Sequence, residues 1–395
     1  MTNLRSTLAG SLIAFSGFSS LALGIRLADQ DPMATARGNA FAATADNPSA
    51  IYYNPAGITQ LEGHNLRLGI YSIYLNSSFE TPAGARTETI DKIQAAPQFY
   101  YTFSSAECPV SLGLGVYSPY GLALDWPDSA PFRTLGRKGK LIYSTVNPVI
   151  AWKICPAVSI AAGPTFNYGD LELRRGIFVR GDDFRFRGDD TDVGFNAGVR
   201  WQIAPEHAVG LSYRKSTSLN FEGHADTHLI FPFAFNGTEN ASAQFHFPQN
   251  VVFGYSFRPT PEWNFEVNVD WTDWDSLNTV LLKKPSGNVP LVFNWTSSFF
   301  YEFGATRQFH NGYSASAGYI YSENSVPDAT FNPVVPDSDR HIFSLGVGRK
   351  YKNCDWEAAY QFAYGPSRTI NNGTAANGNY TFTSHAITIS FGYHF

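Results

Sequence analysis

Two arginines are the side chains whose type and spacing best suit the binding of an anionic group. Arg200 and Arg214 flank a short turn at Pro205-Glu206, and the alternation of residues on both sides of the turn points both side chains inward. A guanidinium fork can bind both oxygens of a carboxylate, so the pair is a candidate carboxylate anchor. The same placement also suits a structural role, in which the arginines pair with an inward acid such as Glu302 or with an N-terminal segment.

Other polar groups match no catalytic or metal-binding pattern. His224 and His228 flank Asp226 at a spacing suited to metal ligands, but no third ligand is evident. The segment 180–190 repeats Arg-Gly-Asp-Asp without the spacing of an EF-hand, so a solvated outer hairpin is the simpler interpretation. The chain has no G-x-S-x-G elbow, P-loop or dinucleotide fingerprint. We therefore expect no enzyme, no cofactor and no metal site.

The composition favours strands and turns. Among 395 residues, aromatic side chains supply 15%, charged residues only 15%, and there are 34 Gly and 23 Pro. This balance argues against a helical bundle or a disordered chain. The formal net charge of -5, without a basic block, argues against a nucleic-acid partner. Whether the three cysteines form a disulfide stays open; each lies at a predicted short turn, namely Cys108, Cys155 and Cys354.

Alternation with a period of two residues runs from about residue 65 to the C terminus. The segment 263–272 alternates Trp, Phe and Val with polar residues, and the closing segment 386–395 alternates Ile, Phe and Tyr with small or polar ones. This pattern predicts strands with one apolar face. The apolar face packs on a second sheet in a soluble sandwich and faces lipid in a membrane barrel.

The connections between the predicted strands favour the barrel. Six short and seven long connections alternate along the chain, which gives fourteen strands. Outer-membrane barrels have this pattern, with short periplasmic turns, longer outer loops, an even strand number and both termini in the periplasm. We predict an all-β fold, a transmembrane antiparallel β-barrel in the bacterial outer membrane.

The N-terminal part of the chain precedes the alternation. Residues 1–24 have an uncharged run after Arg5 that ends on Ala22-Leu23-Gly24, which predicts a secretory signal peptide; a membrane anchor is the alternative. Residues 25–63 are rich in small side chains that fit a narrow lumen, so we expect a hatch inside a barrel formed by residues 64–395. A disordered periplasmic leader is the alternative for the hatch.

Three segments resemble the FadL/TodX family of outer-membrane transporters for long-chain fatty acids and aromatic hydrocarbons. The most specific is 46–57, Asp-Asn-Pro-Ser-Ala-Ile-Tyr-Tyr-Asn-Pro-Ala-Gly; the others are 113–122 and 147–152. The resemblance implies a hatch that plugs a fourteen-stranded barrel and a kinked third strand through which hydrophobic substrates leave sideways. The hatch residues that it singles out are Asp46, Asn54, Pro55, Ala56 and Gly57.

The third strand carries its own signal for an interruption. Pro119 has no N–H for the ladder and Gly121 has no side chain, so together they suit a gap in the wall; an ordinary bulge near the outer rim is the alternative. The residues expected to frame a lateral opening are Tyr117, Ser118, Pro119, Tyr120, Gly121 and Leu122.

The predicted function is passive uptake of hydrophobic small molecules, fatty acids or aromatic hydrocarbons, by a chain that is expected to be a monomer. Its other partners would be outer-membrane lipid and lipopolysaccharide. A structural or adhesive barrel is the first alternative, although it would not need a hatch. A barrel lipase or deacylase is the second, and it would need a Ser-His pair on a face that is apolar here.

Overall fold

The protein is described by a computed structural model covering residues 25–90, 92–230 and 236–395. The predicted signal peptide, residues 1–24, lies outside the described residues. The fold is a closed antiparallel barrel of fourteen strands, which confirms the predicted fold class and strand number. No helix among the described residues is long and apolar enough to cross a membrane.

The elements follow one another along the chain with few helices. The helices are α1 (Pro32–Ala36) and α2 (Ala50–Tyr53), with 3-10 helices at Pro55–Gln60, Trp274–Ser276 and Asp328–Thr330. The strands are β1 (Gly63–Glu80), β2 (Arg86–Glu88), β3 (Ile93–Ser104), β4 (Val110–Tyr117), β5 (Gly121–Asp125), β6 (Lys138–Cys155), β7 (Val158–Arg175), β8 (Asp183–Ala204), β9 (His207–Arg214), β10 (Thr217–His228), β11 (Gly237–Phe247), β12 (Asn250–Thr260), β13 (Trp263–Thr272), β14 (Thr279–Leu282), β15 (Val289–Val292), β16 (Ser298–Gln308), β17 (Tyr313–Ser322), β18 (Arg340–Tyr351), β19 (Cys354–Ile370) and β20 (Gly378–His394).

Each barrel strand pairs with its sequence neighbour, and β1 closes the ring on β20 from Asn65↔His394 to Glu80↔Asn379. Three barrel strands are interrupted and consist of two segments each, β4 with β5, β9 with β10, and β11 with β12. The short β2 and the hairpin of β14 and β15 belong to long loops at one end of the barrel.

The exposure of alternate side chains along each strand shows which way the apolar face points. On β20, Ile387 and Ile389 are about half exposed, whereas Thr388 and Ser390 are buried in the lumen. The apolar side chains therefore cover the outside of the barrel and the small polar ones line the inside. This is the arrangement of a wall surrounded by lipid.

Strands extend into segments that the sequence indicated as loops. β7 runs to Arg175 and pairs with β8, which begins at Asp183, so most of the repeated Arg-Gly-Asp-Asp segment lies in the second strand of a long hairpin and not in its loop. The many charged residues of this segment suggested a loop. In the structure Phe184 and Phe186 turn inward while Arg185 and Arg187 turn outward, which is the alternation of a strand.

The long loops fold over the barrel mouth and bury aromatic side chains there. Trp126, Phe132, Trp274 and Trp295 are almost fully buried in one apolar cluster. Two of these loops are tied together by a hydrogen bond from Arg133 to Asp182. The mouth of the barrel is therefore covered by packed loops.

Asp182 organises the loop between β7 and β8. Its carboxylate accepts hydrogen bonds from the backbone N–H groups of Ile177, Phe178 and Val179 at 2.5–3.1 Å, and Arg133 of the preceding loop donates to it at 2.9 Å. Burial raises the pKa of Asp182, but these hydrogen bonds outweigh burial and lower the pKa to about 2.

We predict that Asp182→Asn speeds hydrogen exchange in residues 176–182 at pH 7, after correction for intrinsic rates. An ordinary Asp has a pKa of about 3.9. The lowered pKa therefore stabilises the loop above that pH, and the stabilisation disappears as the pH falls toward 2. Asp189→Asn, on the outward face of β8, is the control. Equal protection in all three proteins at pH 7 would contradict the prediction.

Candidate functional site

The hatch, residues 25–62, fills the lumen with short helical turns. Pro32 occupies the first turn of α1, and Asp31 caps that helix by accepting from Met33 N at 3.0 Å. Pro55 begins the next 3-10 helix in the same way, with Asn54 accepting from Ala56 N at 3.2 Å. The sequence thus codes the hatch as a series of capped turns.

Asn54 also joins the hatch to the wall. Its amide donates to Ala42 O at 2.7 Å and to Val199 O of β8 at 3.0 Å. The approach is so close that a Cβ on Gly198 would lie 2.2 Å from the Asn54 side-chain oxygen. On β9, a Cβ on Gly210 would lie 2.0 Å from Ala42 O, so the wall needs glycine where the hatch backbone touches it.

Glu266 of β13 is the wall carboxylate with most bonds to the hatch. It accepts from Ala43 N at 2.7 Å, from Thr44 N at 3.0 Å and from the Thr44 hydroxyl. The Arg37 guanidinium lies 3.2 Å away, and both side chains are fully buried. Because buried N–H groups must be satisfied, this carboxylate fixes the position of the hatch turn at 43–44.

Further ion pairs join the hatch to the wall, and they include pairs made by Arg26 and by Asp46. Arg26 pairs with Asp270 of β13 at 2.6 Å and donates to Thr272 at 2.7 Å. At the short-turn end, Asp46 pairs with Arg258 at 2.9 Å. The hatch is therefore held to the wall by charged contacts at well-separated points along its chain.

The two predicted carboxylate-anchor arginines both contact the hatch. Arg200 donates to Ala43 O at 2.8 Å. Arg214 donates to the Tyr117 hydroxyl at 2.8 Å, and its guanidinium lies 4.9 Å from the centre of the Tyr52 ring. Neither arginine lines the apolar cavity described below. Their role toward a ligand carboxylate stays a prediction, while these contacts favour the structural alternative.

The third barrel strand is interrupted at Ser118–Tyr120, between β4 and β5. Across the described residues, β3 pairs with β4 but has no pairing with β5, which pairs only with β6. The first hatch residues approach from inside instead: Leu27 N donates to Pro119 O and Gly121 N donates to Ile25 O, both at 2.8 Å. The hatch therefore supplies the strand partner that β3 does not.

An interior cavity of about 260 Å³ lies beneath the long loops. Its wall is mainly Leu, Val, Phe and Trp, and it includes Leu122 of β5. Three cations also line it, Lys138, Arg174 and Arg175. Arg174 bonds to Asp183, whereas the Arg175 guanidinium lies on the Phe184 ring at 5.5 Å with no carboxylate partner among the described residues.

A second space, the wall cleft, opens on the outside of the barrel between β3 and β5. Its volume is about 530 Å³, and its lining is Tyr74, Ile90, Lys92, Ile93, Gln94, Ala123, Leu124, Asp125, Lys138, Gly139 and Lys140. Lys138 lines both the cleft and the interior cavity, so the two spaces are neighbours. The strand between them is β5.

The sequence pointed to a gap in the wall at residues 117–122, but of these six residues only Leu122 lines either space, and it lines the interior cavity. The cavity draws on Phe184, Phe186 and Arg175, which lie in a segment read as a loop, and on loop residues far apart in the chain. The signal that could have found part of it is the alternation of Phe with Arg at 184–187, which marks an inward aromatic face.

Comparison with known proteins places the chain among outer-membrane transport proteins. The family described as outer membrane protein transport protein (OMPP1/FadL/TodX) matches residues 13–395. The long-chain fatty acid transport protein of Escherichia coli K12 is 22% identical over 407 residues, covering 89% of each chain.

Solved structures show the same fold. A Pseudomonas aeruginosa FadL homologue superposes with a TM-score of 0.84 at 16% identity, covering 94% of this chain and 100% of that one. The Pseudomonas putida toluene transporter TodX superposes with a TM-score of 0.79 at 15% identity, covering 95% and 99%.

We predict that Glu266→Ala loosens the hatch, because three backbone and hydroxyl donors and one guanidinium lose their acceptor in the lumen. Single-channel recording should show added, fluctuating conductance. A variant lacking residues 29–57 should show a larger and steadier conductance. The matched control is Glu302→Ala, a buried wall acid whose bond goes to Asn268 and not to the hatch. Recordings of Glu266→Ala identical to those of wild type would contradict this assignment.

Proposed function

Because this chain belongs to the OMPP1/FadL/TodX family of outer membrane transport proteins, we propose that it carries hydrophobic small molecules passively across the outer membrane. The path begins in the interior cavity and leaves through the wall cleft into the lipid. The observation that carries the proposal is the position of Lys138, which lines both spaces and leaves only β5 between them. We assign no catalytic residue to this transport path.

The entry step depends on the apolar lining of the cavity. A solute that leaves water for the cavity gains roughly 25 cal/mol per Å² of buried apolar surface. The polar surface of the outer leaflet offers no such gain in free energy. A protein-lined path therefore speeds the passage of hydrophobic solutes across the membrane. A purely structural barrel, the first alternative, has no need of an apolar cavity beneath its loops.

The substrate we favour is an apolar chain with an acidic end, such as a long-chain fatty acid. Arg175 supports this choice, because the residue lines the cavity and its guanidinium, which lies on the Phe184 ring, has no carboxylate partner in the described part of the chain. A guanidinium binds a carboxylate through two parallel hydrogen bonds. Aromatic hydrocarbons are the second candidate, because six Phe and one Trp line the same cavity: Phe184, Phe186, Phe221, Phe245, Phe247, Phe293 and Trp295.

The exit step uses the interruption of the third strand. An axial path would cross the hatch and enter a polar space of about 780 Å³ at the short-turn end, lined by charged residues that include Asp46, Arg67 and Glu357. That space suits water and not an apolar solute. The lateral path requires only that β5 and the hatch residues bonded to Pro119 and Gly121 move aside.

We predict that Arg175→Gln weakens binding and uptake of oleate by about tenfold, because a hydrogen bond to a charged group contributes about 1.5–3 kcal/mol. Toluene uptake should stay at the wild-type level, since toluene has no carboxylate. The control is Arg180→Gln, in the adjacent loop and outside the cavity lining. An equal loss of oleate uptake and toluene uptake would show that Arg175 does not bind the carboxylate and contributes only to packing.

We predict that a bulky maleimide on Ala123→Cys stops uptake, because Ala123 lines the wall cleft. The same protein before labelling should transport normally, which separates blockage from misfolding. Labelled Ala162→Cys, on the exposed face of β7, is the control for label alone. The background replaces the native cysteines with serine: Cys108, Cys155 and Cys354. Full uptake by the labelled Ala123→Cys protein in proteoliposomes would favour an axial exit.

A further inference from the structure

We propose that the alanine recess, a shallow area of the outer wall floored by Ala305, Ala315 and Ala317, binds a phospholipid with an anionic headgroup. Two arginines at its short-turn edge, Arg307 and Arg349, would hold the phosphate. Short turns of outer-membrane barrels face the periplasm, so the lipids at this level belong to the inner leaflet of the membrane. The proposal goes beyond solute transport and stands independently of it.

The floor of the recess comes from two neighbouring strands. Ala305 of β16 pairs with Ala317 of β17, and Ala315 lies two residues before Ala317 on the same outward face. Each of the three contributes only a methyl group to the outer surface. Because adjacent strands are about 4.8 Å apart, these methyl groups form one continuous low area.

Larger side chains border this floor on three sides. They are Phe265 of β13, Leu345 and Val347 of β18, and Phe303 with Tyr319 in the row farther from the short turns. Leu345 is 64% exposed and Val347 is 53% exposed, so an acyl chain laid over the alanines would contact both. Lipid tails are as apolar as these side chains, so the shape of the recess and the charge at its edge select the occupant.

The two arginines at the edge are held by aromatic rings. The Arg307 guanidinium lies 5.4 Å from the centre of the Trp263 ring and 5.2 Å from that of Phe309. The Arg349 guanidinium lies 4.6 Å from the centre of the Tyr313 ring. A guanidinium over a ring face keeps its in-plane N–H groups for an acceptor, because the ring occupies only its flat side.

Neither arginine forms an ion pair with the described part of the chain. Their two turns, 307–313 and 349–354, contain four Lys or Arg residues and no Asp or Glu. The preceding short turn has Glu262, which contacts His310 at 3.3 Å. Asp91, the only acid outside the described residues, is adjacent in sequence to β3, which begins at the long-loop end. This edge of the wall is therefore positively charged.

A phosphodiester without a cationic group fits this edge. Its oxygens accept hydrogen bonds from the guanidinium fork. Arg307 and Arg349 flank β17, so their backbones are about 10 Å apart and one headgroup can lie between them. The ammonium group of phosphatidylethanolamine would be repelled by the arginines, whereas phosphatidylglycerol carries no such group. Basic pockets of membrane proteins bind lipid headgroups by the same chemistry.

The test is native mass spectrometry of the full chain in detergent, titrated with phosphatidylglycerol or with phosphatidylethanolamine of the same acyl chains. The wild type should bind phosphatidylglycerol about tenfold more tightly. The double variant Arg307→Gln and Arg349→Gln should bind the two lipids equally. The matched control, Lys153→Gln with Arg180→Gln, removes two exposed cations elsewhere and should keep the preference of the wild type.

A second variant tests the recess apart from its charge. Ala317→Phe fills the floor on the exposed face of β17 and should weaken phosphatidylglycerol binding by about threefold, because an acyl chain loses its contacts with the floor. Ala162→Phe, on the exposed face of β7, should bind as the wild type does.

Three results would overturn the proposal. They are equal affinity of the wild type for the two lipids, an unchanged preference in the double arginine variant, and unchanged binding by Ala317→Phe. The readout contains no transport step, so failure of lipid binding and failure of the proposed transport are distinguishable.

Discussion

The structure depends on one constraint: lipid offers no hydrogen bonds, so each backbone donor and acceptor in the wall needs a partner within the protein. A closed ring of strands meets the constraint along most of the wall, and the third strand is one of the three places where a strand is interrupted. There, Ile25 and Leu27 of the hatch bond to Gly121 and Pro119. The hatch is thus part of the wall as well as a plug, and any path through the wall at this point must involve it.

The contacts that hold the hatch differ from those that build the mouth of the barrel. At the mouth, long loops pack aromatic and aliphatic side chains into one large apolar cluster. In the lumen, the hatch is fixed by buried ion pairs such as Arg26–Asp270 and Arg37–Glu266. Removing one partner of a buried pair costs about 3–5 kcal/mol, because the remaining charge is left without compensation. The hatch is therefore fixed mainly by a few specific charges.

The sequence predicted features that depend on local pattern, and it did not predict contacts between distant segments. Alternation revealed the strands and their number, and Pro119 with Gly121 marked the interruption. Arg200 and Arg214 were placed correctly on the inward face, but their contacts with the hatch depend on how the hatch fills the lumen. The cavity escaped prediction because its lining is drawn from strands and loops spread along the chain from Ile25 to Val335, and no sequence spacing links them.

The pairing of Arg26 with Asp270 has a consequence for the order of assembly. The two residues are 244 positions apart, so the hatch is synthesised long before the strand to which it binds. Closing so long a loop carries a substantial entropic cost, which only the completed barrel can offset. We therefore expect closure of the ring and docking of the hatch to be coupled, and a barrel that closes without the hatch in place to be a trapped intermediate.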